Sequence, residues 1–306
     1  APACGSAQGG GEAPEAPKVY FVRDITPENM VRLYEALERP ATGKVAVKLS
    51  TGEPGGHNFL KPELIKELVQ KVDGTIVECN TACGGGRAST ENHLKAAADH
   101  GFTVIAPVDI MDAEGEVSLP VKGGRHLREN FVGSHYPAYD FTVVLSHFKG
   151  HAMGGFGGAV KNISIGIASS AGKAWIHSAG KTKNAAQMWG NLPAQDDFLE
   201  SMAEAAKSVA DHCGEKILYI NVMNNLSVDC DCDAHPEDPK MGDIGILAST
   251  DPVALDKACV DLVYASTDPG KVHLIERMES RHGIHTLEHG EAIGLGSQQY
   301  ELVELE

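Results

Sequence analysis

A chain of 306 residues, 42% of them hydrophobic and 22% charged, is long enough to bury a substantial core and is neither fibrous nor disordered in composition. Its 42 acidic and 26 basic side chains leave a net charge of −16, a field that repels nucleic acid and anionic lipid and points to small molecules or metals as partners. No apolar run is long enough to span a bilayer.

The first residues, Ala1-Pro2-Ala3-Cys4-Gly5-Ser6, resemble the end of a bacterial lipoprotein signal, where small residues precede a cysteine that becomes lipidated. That reading predicts an extracytoplasmic protein that meets a membrane only through a lipid on Cys4. The alternative is a cytoplasmic protein with an unstructured tail. Residues 1–17, rich in Gly, Ala and Pro, read as a flexible tether, and residues 18–306 as a single α/β domain.

Compact apolar runs predict strands at Val19–Val22, Val45–Leu49, Thr75–Glu78, Thr103–Pro107, Phe141–Leu145, Ile217–Val222 and Ile244–Ala248. Runs of this kind suit strands covered on both faces. Helices between them carry start signals. Thr26-Pro27 and Asp251-Pro252 place a capping side chain before a proline at the first helical position, and Pro62 opens Glu63–Val72. Asp196–Cys213 shows apolar residues at helical spacing, acids in its first turn and Gly214 as a stop. The alternation predicts a largely parallel sheet with helices on both faces.

Polar, glycine-rich clusters follow five of these strands: Ser50–His57, Cys79–Arg87, Ser146–His151, Met223–Asp233 and Ser249–Asp251. In a parallel sheet the carboxyl ends of the strands are the ligand edge. The most specific segment is Ser146–Asn162, SHFKGHAMGGFGGAVKN. Its glycines are too dense for a helix and suit a backbone that approaches a ligand closely. The spacing matches neither a dinucleotide fingerprint nor a P-loop. His147, Lys149 and His151 are the expected catalytic residues. Lys161, Asn162, Arg87, Asn80, Thr81, Gly155, Gly157 and Gly158 are expected to hold an anionic substrate.

Cys79, Cys83, Cys230 and Cys232 are candidate metal ligands, four thiolates being the complement of an iron–sulfur cluster or a structural zinc. Mixed His/Cys/Asp ligation, a redox disulfide and thiols merely near the site remain alternatives. Cys213 and Cys259 read as inert core thiols. The acids of Asp229–Asp243 read mostly as a solvated loop, and His273, His282, His285 and His289 as an exposed helical face.

The segments LSHFKGHAMGGFGGAVKNISIGIAS (Leu145–Ser169), VDCDCD (Val228–Asp233) and DIGILASTDPVALDKACVDLV (Asp243–Val263) resemble the domain-of-unknown-function 362 family, as do Val45–Gly55 and Glu78–Phe102. The resemblance covers nearly the whole chain after the tether and implies the fold and the location of the site. Many such relatives carry a cysteine-rich, ferredoxin-like insert after the glycine-rich segment, but here Gly172–Gly214 contains only Cys213. Many also have an aromatic residue in place of Cys83, whereas Cys230-x-Cys232 follows the family pattern. The expected function is a metal- or iron–sulfur-binding protein that acts as a redox-type or metal-dependent enzyme on a small anionic substrate. The alternative is a membrane-tethered, non-catalytic binder of a small anion or metal complex.

Overall fold

The computed structural model describes residues 13–306. Cys4 and its expected lipid lie outside the described residues, and residues 13–16 are exposed and without regular structure. The amino-terminal half contains β1 (Lys18–Val22), α1 (Pro27–Ala36), β2 (Val45–Lys48), α2 (Pro62–Lys71), β3 (Gly74–Glu78), α3 (Thr90–Asp99), α4 (Phe102–Ile105), β4 (Val108–Ile110), β5 (Glu116–Pro120) and β6 (Glu129–Gly133). Next come β7 (Phe141–His147), β8 (Lys149–His151), β9 (Gly155–Gly157), α5 (Ala159–Ser164), α6 (Ser170–His177) and α7 (Gln195–Cys213). The chain ends with β10 (Ile217–Met223), β11 (Gly245–Ser249), α8 (Pro252–Ala265), α9 (Lys271–Ser280), α10 (His285–Ala292) and β12 (Glu301–Glu304).

Eight strands form one sheet in the order β12-β1-β11-β10-β7-β2-β3-β4. All run parallel except β11, which is antiparallel to both of its neighbours. Alternate residues of each strand serve opposite faces. On β10, Leu218, Ile220 and Val222 pack toward α1 and α2, while Ile217 and Tyr219 pack toward α7 and α8. The sheet is therefore covered on both sides, as the apolar runs predict. The proline-led helix starts also form as expected. Thr26 Oγ1 accepts from the Asn29 N–H at 3.1 Å, and Asp251 Oδ1 accepts from the Val253 and Ala254 N–H groups at 2.9 Å each.

Two expectations need correction. The apolar run Thr103–Pro107 is not a strand: Phe102–Ile105 is a helical turn and the strand follows at Val108–Ile110. Gly101, at φ +90°, turns the chain so that Phe102 is buried while Val104 is 85% exposed, which a strand covered on both faces would not permit. Pro107 then holds Ala106 extended and starts the pairing through its carbonyl, which accepts from the Ile76 N–H. The second correction concerns β11. Because it runs backward, Ser249–Asp251 lies at the opposite edge of the sheet from the other four clusters, and Asp251 serves there as a helix cap.

Candidate functional site

The carboxyl ends of β2, β3, β7 and β10 share one edge, and above it lies a cavity of about 480 Å³. The loop after β7 returns as the β8–β9 hairpin, and α5 and α6 complete the wall. Gly150 lies so close to the Val228 backbone that a Cβ there would sit 2.4 Å from its carbonyl oxygen, and the Gly150 N–H donates to Ser227 O. Glycine is thus what lets the hairpin meet the Asp229–Asp233 loop. Gly155, at φ +83°, turns the hairpin against Gly283.

Five cationic side chains line the cavity: Lys48, Arg87, Lys149, Lys161 and Lys173. Five carboxylates, Glu53, Glu78, Asp229, Asp231 and Asp233, line it with them, and three of these pair with the cations. Glu78, buried at the end of β3, meets Lys48 Nζ at 3.4 Å, Arg87 Nη1 at 3.1 Å and His93 Nε2 at 2.8 Å, and also accepts from Thr51 Oγ1. Burial opposes its charge, but Lys48, His93 and Arg87 hold its carboxyl well below the ordinary range. Glu53 pairs with Arg87 Nε at 3.0 Å and accepts from the Gly86 N–H. Asp231 meets His147 Nδ1 at 2.9 Å and Lys149 Nζ at 3.9 Å. Burial again works against the charge, and His147 and Lys149 keep it ionised.

Lys161 is different. Among the described residues its ammonium has no hydrogen bond or ion pair, and burial together with Lys149, Lys48, Lys173 and Arg87 lowers its pKa to about 7. Burial likewise lowers Lys48 to about 8, although Glu78 opposes the shift. Lys173 donates to the Ala168 carbonyl at 2.7 Å. Five acids face the five cations around the cavity, so its lining carries no formal excess of charge, but among the described residues Lys161 and Lys173 have no carboxylate partner.

Two cavity histidines have opposite tautomers. His151 Nδ1 accepts from the backbone N–H groups of Met153 (3.1 Å) and Gly154 (2.9 Å), so its ring proton resides on Nε2. His177 Nδ1 donates to the Lys173 carbonyl at 2.7 Å, which leaves its Nε2 lone pair open. Both rings are neutral. Burial and the cations Lys161 and Lys149 push His151 well below its usual value, and burial outweighs the Lys173 carbonyl to bring His177 to about 4.

A group of possible metal donors also lines the cavity: His151, Cys230 and Cys232, all within 4.8 Å of one another. Cys230 and Cys232 are joined as a disulfide. Coordination through His151 Nε2 would require moving its proton to Nδ1, where two N–H donors already point.

The sequence matches the family described as Domain of unknown function (DUF362) over residues 45–261. The chain belongs to the DUF362 family. A comparison with functionally curated proteins finds no match. Among solved structures, the chain resembles the lactate racemase apoprotein from Thermoanaerobacterium thermosaccharolyticum, with 17% identity and a TM-score of 0.39 over 66% of this chain and 50% of that one. It also resembles a protein from Thermotoga maritima, with 14% identity and a TM-score of 0.41 over 76% of this chain and 57% of that one. The chain thus spans about half the length of these structures.

In this DUF362 chain the cavity gathers most of the residues singled out from sequence: Cys79, Thr81, Cys83, Arg87, His147, Lys149, His151, Gly157, Gly158, Lys161, Asn162, Cys230 and Cys232. Several have other duties than expected. His147 has both ring nitrogens engaged, Nδ1 with Asp231 and Nε2 with the Asn224 carbonyl at 2.6 Å, so neither is open to a substrate. Asn162 accepts from Lys48 Nζ at 2.8 Å and donates to Ser146 Oγ and Leu145 O, which makes it a holder of Lys48. Arg87 is occupied by Glu53 and Glu78. Asn80 binds Thr90 and His93 outside the cavity, and Gly155 is likewise not on its wall.

Among the described residues four thiolates do not assemble. The donor group contains Cys230 and Cys232 but neither Cys79 nor Cys83. Cys79 contacts the Ile167 carbonyl at 3.4 Å, and burial pushes its thiol up to about 12, the wrong direction for a ligand. Asp231, read as part of a solvated loop, is buried under His147. Sequence reasoning missed Lys48, Glu53, Glu78, Lys173 and His177. A lysine inside an otherwise apolar strand, as in VAVKL, is the signal that could have found Lys48. Asp256 was missed too. From α8 it accepts the Ala159 and Val160 N–H groups at 2.8 and 3.0 Å and so fixes the glycine-rich turn into α5.

Proposed function

We propose that the cavity binds a small organic dianion and transfers a proton at the carbon beside one of its acid groups. The opposite tautomers of His151 and His177 carry this reading: one neutral ring offers an N–H and the other a lone pair to the same cavity. Lys161 and Lys149 are the binding pair for two acid groups: Lys161 has no carboxylate partner among the described residues, and Lys149 stands 3.9 Å from Asp231, at the limit of an ion pair. His177 Nε2 takes the proton, the electron pair is stabilised by the adjacent ammonium groups, and His151 Nε2–H supplies a proton. Burial depresses His177, and Lys161 and Lys173 depress it further. A bound dianion offsets those charges and raises the basicity of the ring toward working pH.

The test is binding and solvent-deuterium wash-in across a panel of small dicarboxylates and phosphorylated hydroxy acids. Binding by a panel member should be lost in Lys161→Ala. Wash-in should fall about 10²–10⁴-fold in His177→Gln and His151→Gln while binding persists. Unchanged binding in Lys161→Ala would overturn the reading. Dianion binding should also weaken as pH rises through about 7 to 8, where Lys161 and Lys48 lose their protons.

A redox or metal role for the same cavity is the second reading, favoured by the Cys230–Cys232 disulfide on its wall. Reduction would free two thiols for a soft or borderline metal. Anaerobic purification followed by metal analysis and an optical spectrum decides it: stoichiometric metal lost in Cys230→Ser/Cys232→Ser supports it, and its absence removes it.

A further inference from the structure

We infer that a second site, built from Asp196 on α7, His282 in the turn between α9 and α10, and His285 at the start of α10, takes a divalent transition cation of the zinc class. The donor atoms of these three side chains lie within 4.8 Å of one another. Two imidazoles and one carboxylate suit a borderline cation and disfavour magnesium or calcium, which prefer all-oxygen sites. His282 Nδ1 already faces Asp196 Oδ1 at 2.8 Å, and the His282 and His285 rings stack at 5.1 Å with an interplanar angle of 14°. A cation would take the place of the proton shared by His282 and Asp196.

Three further observations favour a cation here. Glu288 stands beside both rings, its Oε1 at 3.6 Å from His285 Nδ1 and 3.9 Å from His282 Nε2, in reach of a fourth position. Glu200 holds His285 Nε2 at 2.7 Å from the other side and His126 Nε2 at 2.8 Å, an outer carboxylate of the kind that orients a metal-binding imidazole. His282 is held at φ +51°, a conformation uncommon outside glycine, with Gly283 directly after it. That turn aims its ring at His285. Bonds of about 2.0 Å place tetrahedral donors about 3.3 Å apart, so the His282–Asp196 pair opens slightly and the other donors close by no more than about 1.5 Å, which the half-exposed His282 and Asp196 side chains can accommodate.

The site is independent of the proton-transfer reading, but it touches the cavity wall. Gln195, next to Asp196, donates to both the Met153 and Arg281 carbonyls at 2.7 and 2.9 Å. A cation would brace that joint.

The experiment is calorimetric titration of the untagged, chelator-stripped full chain with zinc, alongside thermal melts. One zinc per chain and a raised melting temperature are expected, with no response to magnesium. The double variant His282→Ala/His285→Ala should bind zinc at least about tenfold more weakly, while His126→Ala keeps near-normal affinity. The metal-free melting curve of the double variant shows that it is folded. Wild-type affinity in the double variant, no zinc binding by the native chain, or loss of binding only in Cys230→Ser/Cys232→Ser would each overturn the inference.

Discussion

Histidines occupy two regions of this molecule under opposite fields. In the cavity, His151 and His177 are surrounded by lysines, and burial makes either charge costly, so both rings are neutral with depressed pKa values. Along α7 and α10, His285 faces Glu200, Asp196 and Glu288. Burial works against its charge, but those carboxylates raise its pKa. One side chain type is thus set as a neutral donor or acceptor in one place and as a cation partner in the other. The difference is not in the local sequence of either segment. It comes from which charged residues the fold brings alongside.

The comparison can be broken most directly at Glu78. This carboxylate is the anion on which Lys48, Arg87 and His93 depend. Glu78→Gln leaves buried cations uncompensated and should cost about 3–5 kcal/mol in denaturant unfolding. In the wild type the same group contributes stability above the unfolded carboxylate pKa. That contribution is lost as pH falls through the depressed folded value, so acid unfolding should set in below about pH 4. A Glu78→Gln protein as stable as the wild type would show that the cavity cations do not need this anchor.

A smaller effect, of opposite sign, is expected at Lys161. Its folded pKa lies below the unfolded one, so the unfolded chain binds more protons and this lysine disfavours folding at neutral pH. Lys161→Met should therefore raise the melting temperature, by roughly 2–4 °C, while abolishing anion binding. A lowered melting temperature would mean that Lys161 has a structural partner. The smallest effect should come from His285→Ala, whose partner Glu200 is shared with His126. A loss under about 1 kcal/mol is expected in the metal-free protein. Because the folded pKa of His285 is raised, this contribution is present below about pH 6.5 and lost as pH rises through the folded value. A His285→Ala penalty that grows with pH would contradict the ion pair.

Much of the site was legible as a place. Apolar runs followed by His, Lys, Cys and Gly marked β2, β3, β7 and β10, and the cavity sits on their shared edge. The chemistry was less legible, because function in a buried site depends on pairing. His147 and Arg87 look available in the sequence and are occupied in the fold. His177 looks like one more residue near a helix end and proves to face the cavity with an open nitrogen.

The order of apolar runs and helix starts by itself determined the covered parallel sheet, the proline-led caps at Thr26 and Asp251, and the glycine-rich segment Ser146–Asn162 as a close-approach loop. Those features depend on backbone sterics and hydrophobic period, which act over a few neighbouring residues. Tertiary structure alone decided that β11 runs backward, that Cys79 and Cys83 stay apart from Cys230 and Cys232, and that Asp231 is buried against His147. It also decided that, among the described residues, Lys161 is left without a partner while four other cations surround it. Proton positions and charges follow from burial and from groups distant in sequence, so they exist only once the chain has closed around the cavity.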